Sequence, residues 1–470
     1  MREVFRAEAL ASGDTVAQQF SEIVAGKGEG GTPRSVAELP PILEAVEVLL
    51  AAGDFEAADE LYCGRLENGH VFKWIPAPQE GLRCARGFLE PPERRAALEQ
   101  VLGKGPVAYY LNCAALYANL LGEMEGVERG YEDHNEIQHA EQSWENVSTG
   151  LRNLTGAQTL RGALREAVGS ASEALFYAGV EESSALRSAV HRFPKRPPAT
   201  PPYEVSRVDE CLAYRAHALS LAGELPAASR DFAAADSIFR QEFSDQVGLG
   251  SIWGIQWCRH RLRLGEADVA RQLTEANRAI CEDQGWNNDL AQCDLLLGEL
   301  DFAAGDRASA ERRIGAAVRV FREARQGVDL PDALLAQARL RGSIEDCEEA
   351  LRLAARSGFA LMQCDALNLR ARLRREAGQP APAMEDARAA LEIAERCGYY
   401  WGRHEALRQL RDAAYALDHR ADAQLWDQAE KALAAKMQPE IEEALRINRE
   451  HDAEMEKLYR KKKPKRGRKQ

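Results

Sequence analysis

Small and apolar residues recur along this chain with a helical period, interrupted by glycine-centred turns. The clearest stretch runs from Asp294 to Phe321, DLLLGELDFAAGDRASAERRIGAAVRVF. Leu297 and Gly298 sit in a first helix, Gly305-Asp306 forms a turn, and Ala310, Ile314 and Ala317 mark one face of a second helix. Small residues let two helices approach closely, and large ones fill the groove between them. The skeleton recurs with turns at Gly223, Gly265, Gly342, Gly378 and, in a weaker copy, Asp418; near the N-terminus it is built on Gly53, Phe55, Ala58 and Tyr62. From Gly223 onward the turns return roughly every 40 residues, within the ~20–50-residue range of repeat arrays. Each turn glycine suits a left-handed residue ending the first helix. The Asp, Glu or Pro that follows suits a helix start.

The pattern predicts an all-α fold, a tetratricopeptide-like superhelix of about eight to nine helical hairpins with a C-terminal capping helix. Two less regular units are expected between Pro106 and Gly179. The expected organisation is an N-terminal helix and flexible link (1–33), a first sub-array (34–193), a Pro-rich segment (194–202), a second sub-array (203–436), a capping helix opened by Pro439 (437–459) and a basic disordered tail (460–470). The segment PKRPPATPP cannot be helical. It reads either as a surface strap, the favoured choice, or as a joint between sub-arrays.

Composition supports helix: Ala, Leu, Arg and Glu dominate, aromatics are 7% and hydrophobic residues 45%. The ten cysteines form no CxxC pair, and read as small buried hydrophobes in a reduced cytoplasmic protein. No apolar run reaches the ~18 residues of a membrane span. Net charge is −13. The tail holds eight cations, Arg460, Lys461, Lys462, Lys463, Lys465, Arg466, Arg468 and Lys469, so the rest of the chain carries −21. An acidic body argues against general nucleic-acid binding. The tail itself suits a solvated end, a weak salt-sensitive contact to a polyanion, or a contact with an acidic surface.

Several stretches, in order, resemble the C-terminal tetratricopeptide sensor region of bacterial STAND NTPases: RSVAELPPILEAVEVLLAAGDFEAADELY, YYLNCAALYANLLGEMEG, WENVSTGLRNLTGAQTLRGALREAVGSASEALFYAG, GSIWGIQWCRHRLRLGEADVARQLTEANRAICEDQGWNNDLAQCDLLLGEL, ALNLRARLRREAGQ and AERCGYYWGRHEAL. The resemblance implies a sensor arm that works with an NTPase or effector partner. The chain departs from that family in lacking a phosphate-cradling loop: GKGEGGTP and VLGKGP both miss the required order.

No catalytic constellation is expected, and no cofactor. His134 and His139, five apart, are off one helical face, and His404 opens HEALR, which lacks a second histidine. Trp253 and Trp257 share a helix face and read as core, with a ligand-facing pair as the alternative. Counting each turn glycine as the fifteenth position, the ninth position faces the inner curve. This places His217, Arg259, Glu299 and Arg372 in a concave groove, or on an ordinary wet surface. The sequence thus predicts a non-enzymatic module binding a protein or peptide in that groove. The alternative is a nucleic-acid-associated protein anchored by its tail.

Overall fold

The computed structural model describes residues 31–179, 207–242 and 247–462. Among them are twenty-one α-helices and no strand. The N-terminal helix and most of its link, the Pro-rich segment and residues 463–470 lie outside the described residues, as do the side chains of 459–462.

A first hairpin, α1 (Pro40–Ala51) and α2 (Phe55–Arg65), is followed by α3 (Val71–Trp74), α4 (Pro78–Leu89) and α5 (Pro92–Leu102). Eight hairpins then stack. They are α6 (Lys104–Leu121) with α7 (Val127–Ala140), α8 (Trp144–Arg161) with α9 (Leu164–Tyr177), and α10 (Val208–Ala222) with α11 (Leu225–Glu242). Next come α12 (Ser251–Arg263) with α13 (Ala267–Gln284), α14 (Asn287–Ala303) with α15 (Arg307–Glu323), and α16 (Asp329–Arg341) with α17 (Ile344–Ser357). The series ends with α18 (Ala360–Glu376) paired to α19 (Pro380–Cys397) and α20 (Tyr400–Ala416) paired to α21 (Arg420–Lys462). Helices α9 and α10 pack directly, so the stack is continuous across the Pro-rich segment.

Local chemistry accounts for the hairpins. Gly305 takes φ 87° and Asp418 takes φ 58°, the left-handed conformation that reverses the chain after the first helix. Asp54, Asp306 and Ser343 then cap the second helices by accepting from the backbone N–H three residues on. The small positions are the contact points: Ala228, Phe232 and Ala235 are fully buried, and a Cβ on Gly298 would stand 2.8 Å from Ile314.

Two expectations need correction at the C-terminus. Pro439 does not open a separate capping helix; it lies inside α21, which runs unbroken from Arg420 and reaches Lys462, into the segment expected to be a tail. An interior proline forfeits one helical hydrogen bond, at about 3 kcal/mol. Here Leu433 and Met437 before it, and Ile441 and Ala444 after it, pack into one cluster with Leu225, Leu264 and Tyr400, and that shared packing holds the two halves in line.

The array also coils back on itself. Beyond its neighbours along the stack, α8 touches α18, α10 touches α20, α3 touches α14, and α21 lies against α11. At one such seam the backbone N–H of Gly327 donates to the carbonyl of Leu120 at 2.8 Å. The indole N–H of Trp401 likewise donates to the carbonyl of Ser220 at 2.8 Å. Near the end of α21, His451 pairs with fully buried Asp236 at 2.7 Å, Asp452 pairs with fully buried Arg261, and Asn448 donates to Glu266 at 2.8 Å. These seams wrap the first helix of each hairpin around a common interior.

Candidate functional site

That interior is a cavity of about 1740 Å³, lined mainly by α6, α8, α10, α12, α14, α16 and α18, with Lys73 from α3. The second helix of each hairpin covers one face of the first, and the face left over turns inward. His217, Arg259 and Glu299 all line the cavity; Arg372 does not. It lies two turns further along α18 than Asp365, the cavity residue on that helix, and its guanidinium sits 3.8 Å from Glu376. The tryptophan pair is split. Trp253 lines the cavity, whereas Trp257 is buried between the His451 ring and the Arg261 guanidinium.

One end of the cavity is crowded with carboxylates. Arg259 bridges Asp332 at 2.6 Å and Glu299 at 3.5 Å, and Arg339 reaches Glu299 at 3.3 Å. Those two acids are therefore neutralised by the protein. Three others receive only neutral donors. Ser251 donates its hydroxyl to Asp289; the Asn288 and Gln292 amides each donate to Asp329 at 3.0 Å; the Tyr399 hydroxyl donates to Asp365 at 3.1 Å. Burial pushes Asp329 up to about 7, reinforced by Asp289 and Asp332 and opposed by the Asn288 amide and Arg259. Burial also raises Asp365 to about 6, with Asp332 adding to it and Arg339, Arg263 and the Tyr399 hydroxyl opposing. Asp289 and Glu299 are raised by the same enclosure. His217 is pushed down to about 3 by burial and by Arg263 and Arg259, so its ring is neutral at physiological pH.

A basic group adjoins it, with Lys73 close enough to Asp289 to oppose the upward push on its carboxyl. Glu210 pairs with both Arg152 and Arg207, and Lys73 stands beside them. Burial and the neighbouring Arg152 lower the Lys73 ammonium, and burial with Lys73 and Arg207 brings His70 down to about 4.

Four other histidines have structural partners. His134 is buried with its ring nitrogens at 2.8 Å from the Ala108 carbonyl and 3.1 Å from that of Asn146. His139 packs edge-on to Trp144 and Tyr177. His404 faces Glu430 at 3.8 Å. His260 lies between the hydroxyls of Ser220 and Ser229 at 2.8 and 2.9 Å, but all three residues are fully buried and out of reach of a substrate. All ten cysteines are free thiols, eight of them buried. Burial raises Cys258 to about 12 and Cys63 and Cys347 to about 11, the reverse of an activated nucleophile.

What sequence reasoning missed is the acid cluster. Asp289 and Asp329 lie in the first turns of α14 and α16, where an acid also suits the helix dipole and so looks like an ordinary helix start.

No family model matches the sequence, and no curated protein matches it. Among solved structures, a Rap protein complexed with competence and sporulation factor is 12% identical, with a TM-score of 0.35, covering 86% of this chain and 99% of that one. The P58(IPK) TPR domain is 15% identical with a TM-score of 0.24, covering 81% and 98%. A circular tandem repeat protein is 15% identical with a TM-score of 0.13, covering 95% and 90%. These superpositions are loose, and the fold assignment rests on the helix pairing of this chain.

Proposed function

We propose that the protein is a non-enzymatic binding module that takes a peptide segment of a partner into its central cavity. The observation that supports this most is the cavity itself. At about 1740 Å³ it exceeds the ~300–1,000 Å³ of small-molecule sites. Its polar lining is also incompletely used: Gln256 and Gln326, each less than a tenth exposed, hold side-chain carbonyl oxygens without a donor. Buried acceptors left unpaired are costly and mark where a ligand can supply N–H groups. Carboxylates as perturbed as Asp329 and Asp365 also occur in acid–base enzymes. Against that reading, the thiols are deactivated and the Ser–His contacts are sealed. The free thiols fit the cytoplasm. A partner of the NTPase or effector kind, which the resemblance to STAND sensors implies, belongs to this same reading.

The test is selection of displayed peptides on the full-length protein, followed by titration of the synthetic winners. Selected peptides should bind one to one and change Trp253 fluorescence, a response absent in Trp253→Phe. Binding that ignores Trp253→Ala and Gln256→Ala in folded protein would place the site elsewhere.

A further inference from the structure

The charges at the acid end do not balance, and the imbalance names a ligand. Buried or enclosed charges are ordinarily paired, because an unpaired one forfeits its hydration without return. Arg259 and Arg339 account for Asp332 and Glu299. Asp289, Asp329 and Asp365 remain, each hydrogen-bonded by neutral donors only; Lys73 lies near Asp289, and Arg263, whose Nη1 is without a hydrogen-bond partner, lies near Asp365, so five carboxylates share four cations. The acceptors nearby are also in surplus. Asn288 spends its amide N–H on Asp329, which fixes its orientation and leaves Oδ1 unpartnered; Gln256 and Gln326 offer two more carbonyl oxygens. A site with excess carboxylates and idle acceptors asks for a positive group rich in N–H.

We infer that the acid end of the cavity receives a cationic side chain of the bound peptide, a lysine ammonium or an arginine guanidinium, between Asp289, Asp329 and Asp365. The inference rests on the cavity being the binding site. The carboxylates come from α14, α16 and α18, three successive inner helices, so a group placed among them meets acid from three directions. Charge-assisted hydrogen bonds to such a cation are roughly twice as strong as neutral ones. The same contact makes binding pH-dependent. Asp329, faced by Asp289, Asp332, Asn288 and Arg259, and Asp365, faced by Asp332, Arg339, Arg263 and Tyr399, are partly protonated near neutrality in the empty protein. A cation favours their ionised forms, so binding expels protons and affinity rises with pH.

The experiment is calorimetric titration of full-length protein with capped peptides of alternating alanine and lysine, arginine, glutamine or glutamate, and with spermidine. The lysine or arginine peptide should bind one to one, at least about tenfold tighter than the glutamine peptide, with none for glutamate. The double variant D329N/D365N should lose about tenfold or more in affinity for the basic peptide while melting no lower than wild type. Wild-type affinity should rise between about pH 5.5 and 8, with a heat that depends on the buffer's ionisation enthalpy. That measurement needs no variant. Preference for the glutamate peptide would overturn the ligand class while leaving the cavity as a peptide site. Spermidine binding as tightly would overturn a peptide as the carrier. Unchanged binding in the folded double variant, or affinity flat with pH, would remove the cation from this end. No response at Trp253 to any peptide would overturn this inference and the proposed function together.

Discussion

Asp329 and Asp365 are carboxylates whose folded environment disfavours their charge. In the unfolded chain they ionise near 3.8, but in the folded protein near 7 and 6. Their contribution therefore favours folding below about pH 4 and is lost as pH rises through the folded values. Replacing either by asparagine should raise the melting temperature of the empty protein at pH 8, by about 1–3 °C, and leave it unchanged near pH 4. Thermal melts at the two pH values decide the matter. The histidines act oppositely: His217 and His260, both lowered to about 3, disfavour protonation in the folded state. They withdraw stability as pH falls below about 6.5. Gly327 makes a different demand. A Cβ there would stand 2.1 Å from the Leu121 carbonyl oxygen, so Gly327→Ala should cost about 1–3 kcal/mol, seen as a lower melting temperature. At this scale the sequence was partly readable. His217, Arg259, Glu299 and Arg372 all stand six residues before a turn glycine; the first three line the cavity, and Arg372 lies beyond it because only the first turns of α18 reach the cavity.

Turns and small-residue contacts were the readable part of the helices and hairpins, because glycine and alanine occupy positions where nothing larger fits. The ionic stitching between helices was not. Arg215 grips Asp231, and Arg370 grips Asp386, each bidentately and each sixteen residues apart, from the first helix of a hairpin to the second. In a chain with 29% charged residues such pairs vanish among solvated ones. The same ambiguity hid the role of α21. Asn448 and His451 are polar, so they read as its solvent face, yet they are 1% and 7% exposed against the outer helices one superhelical turn earlier. His451→Ala should leave Asp236 with Arg240 at 2.8 Å as its remaining ion pair, costing about 1–3 kcal/mol. Hydrogen exchange should then quicken in α11 and in the last turns of α21 before it does elsewhere.

Across the whole molecule, charge is divided between an acidic body and eight basic residues at the C-terminal end. Deleting residues 460–470 should abolish any weak, salt-sensitive binding to nucleic acid and leave thermal stability unchanged, measured by filter binding at two salt concentrations and by melting. Retained binding would make the helical body the reader. Stacked hairpins follow from the repeat. The return of the stack onto itself does not, because the per-hairpin rotation is set by packing details spread over many residues. That closure has a consequence for how the protein is made. Ribosomes add about 5–20 residues per second, so Gly327 emerges roughly 10–40 s after Leu120, its partner across the seam. Throughout that interval the hairpins made first present their polar inner faces as an open trough. The enclosed site exists only after the last third of the chain arrives, and a ribosome that stops early releases a trough in place of a receptor.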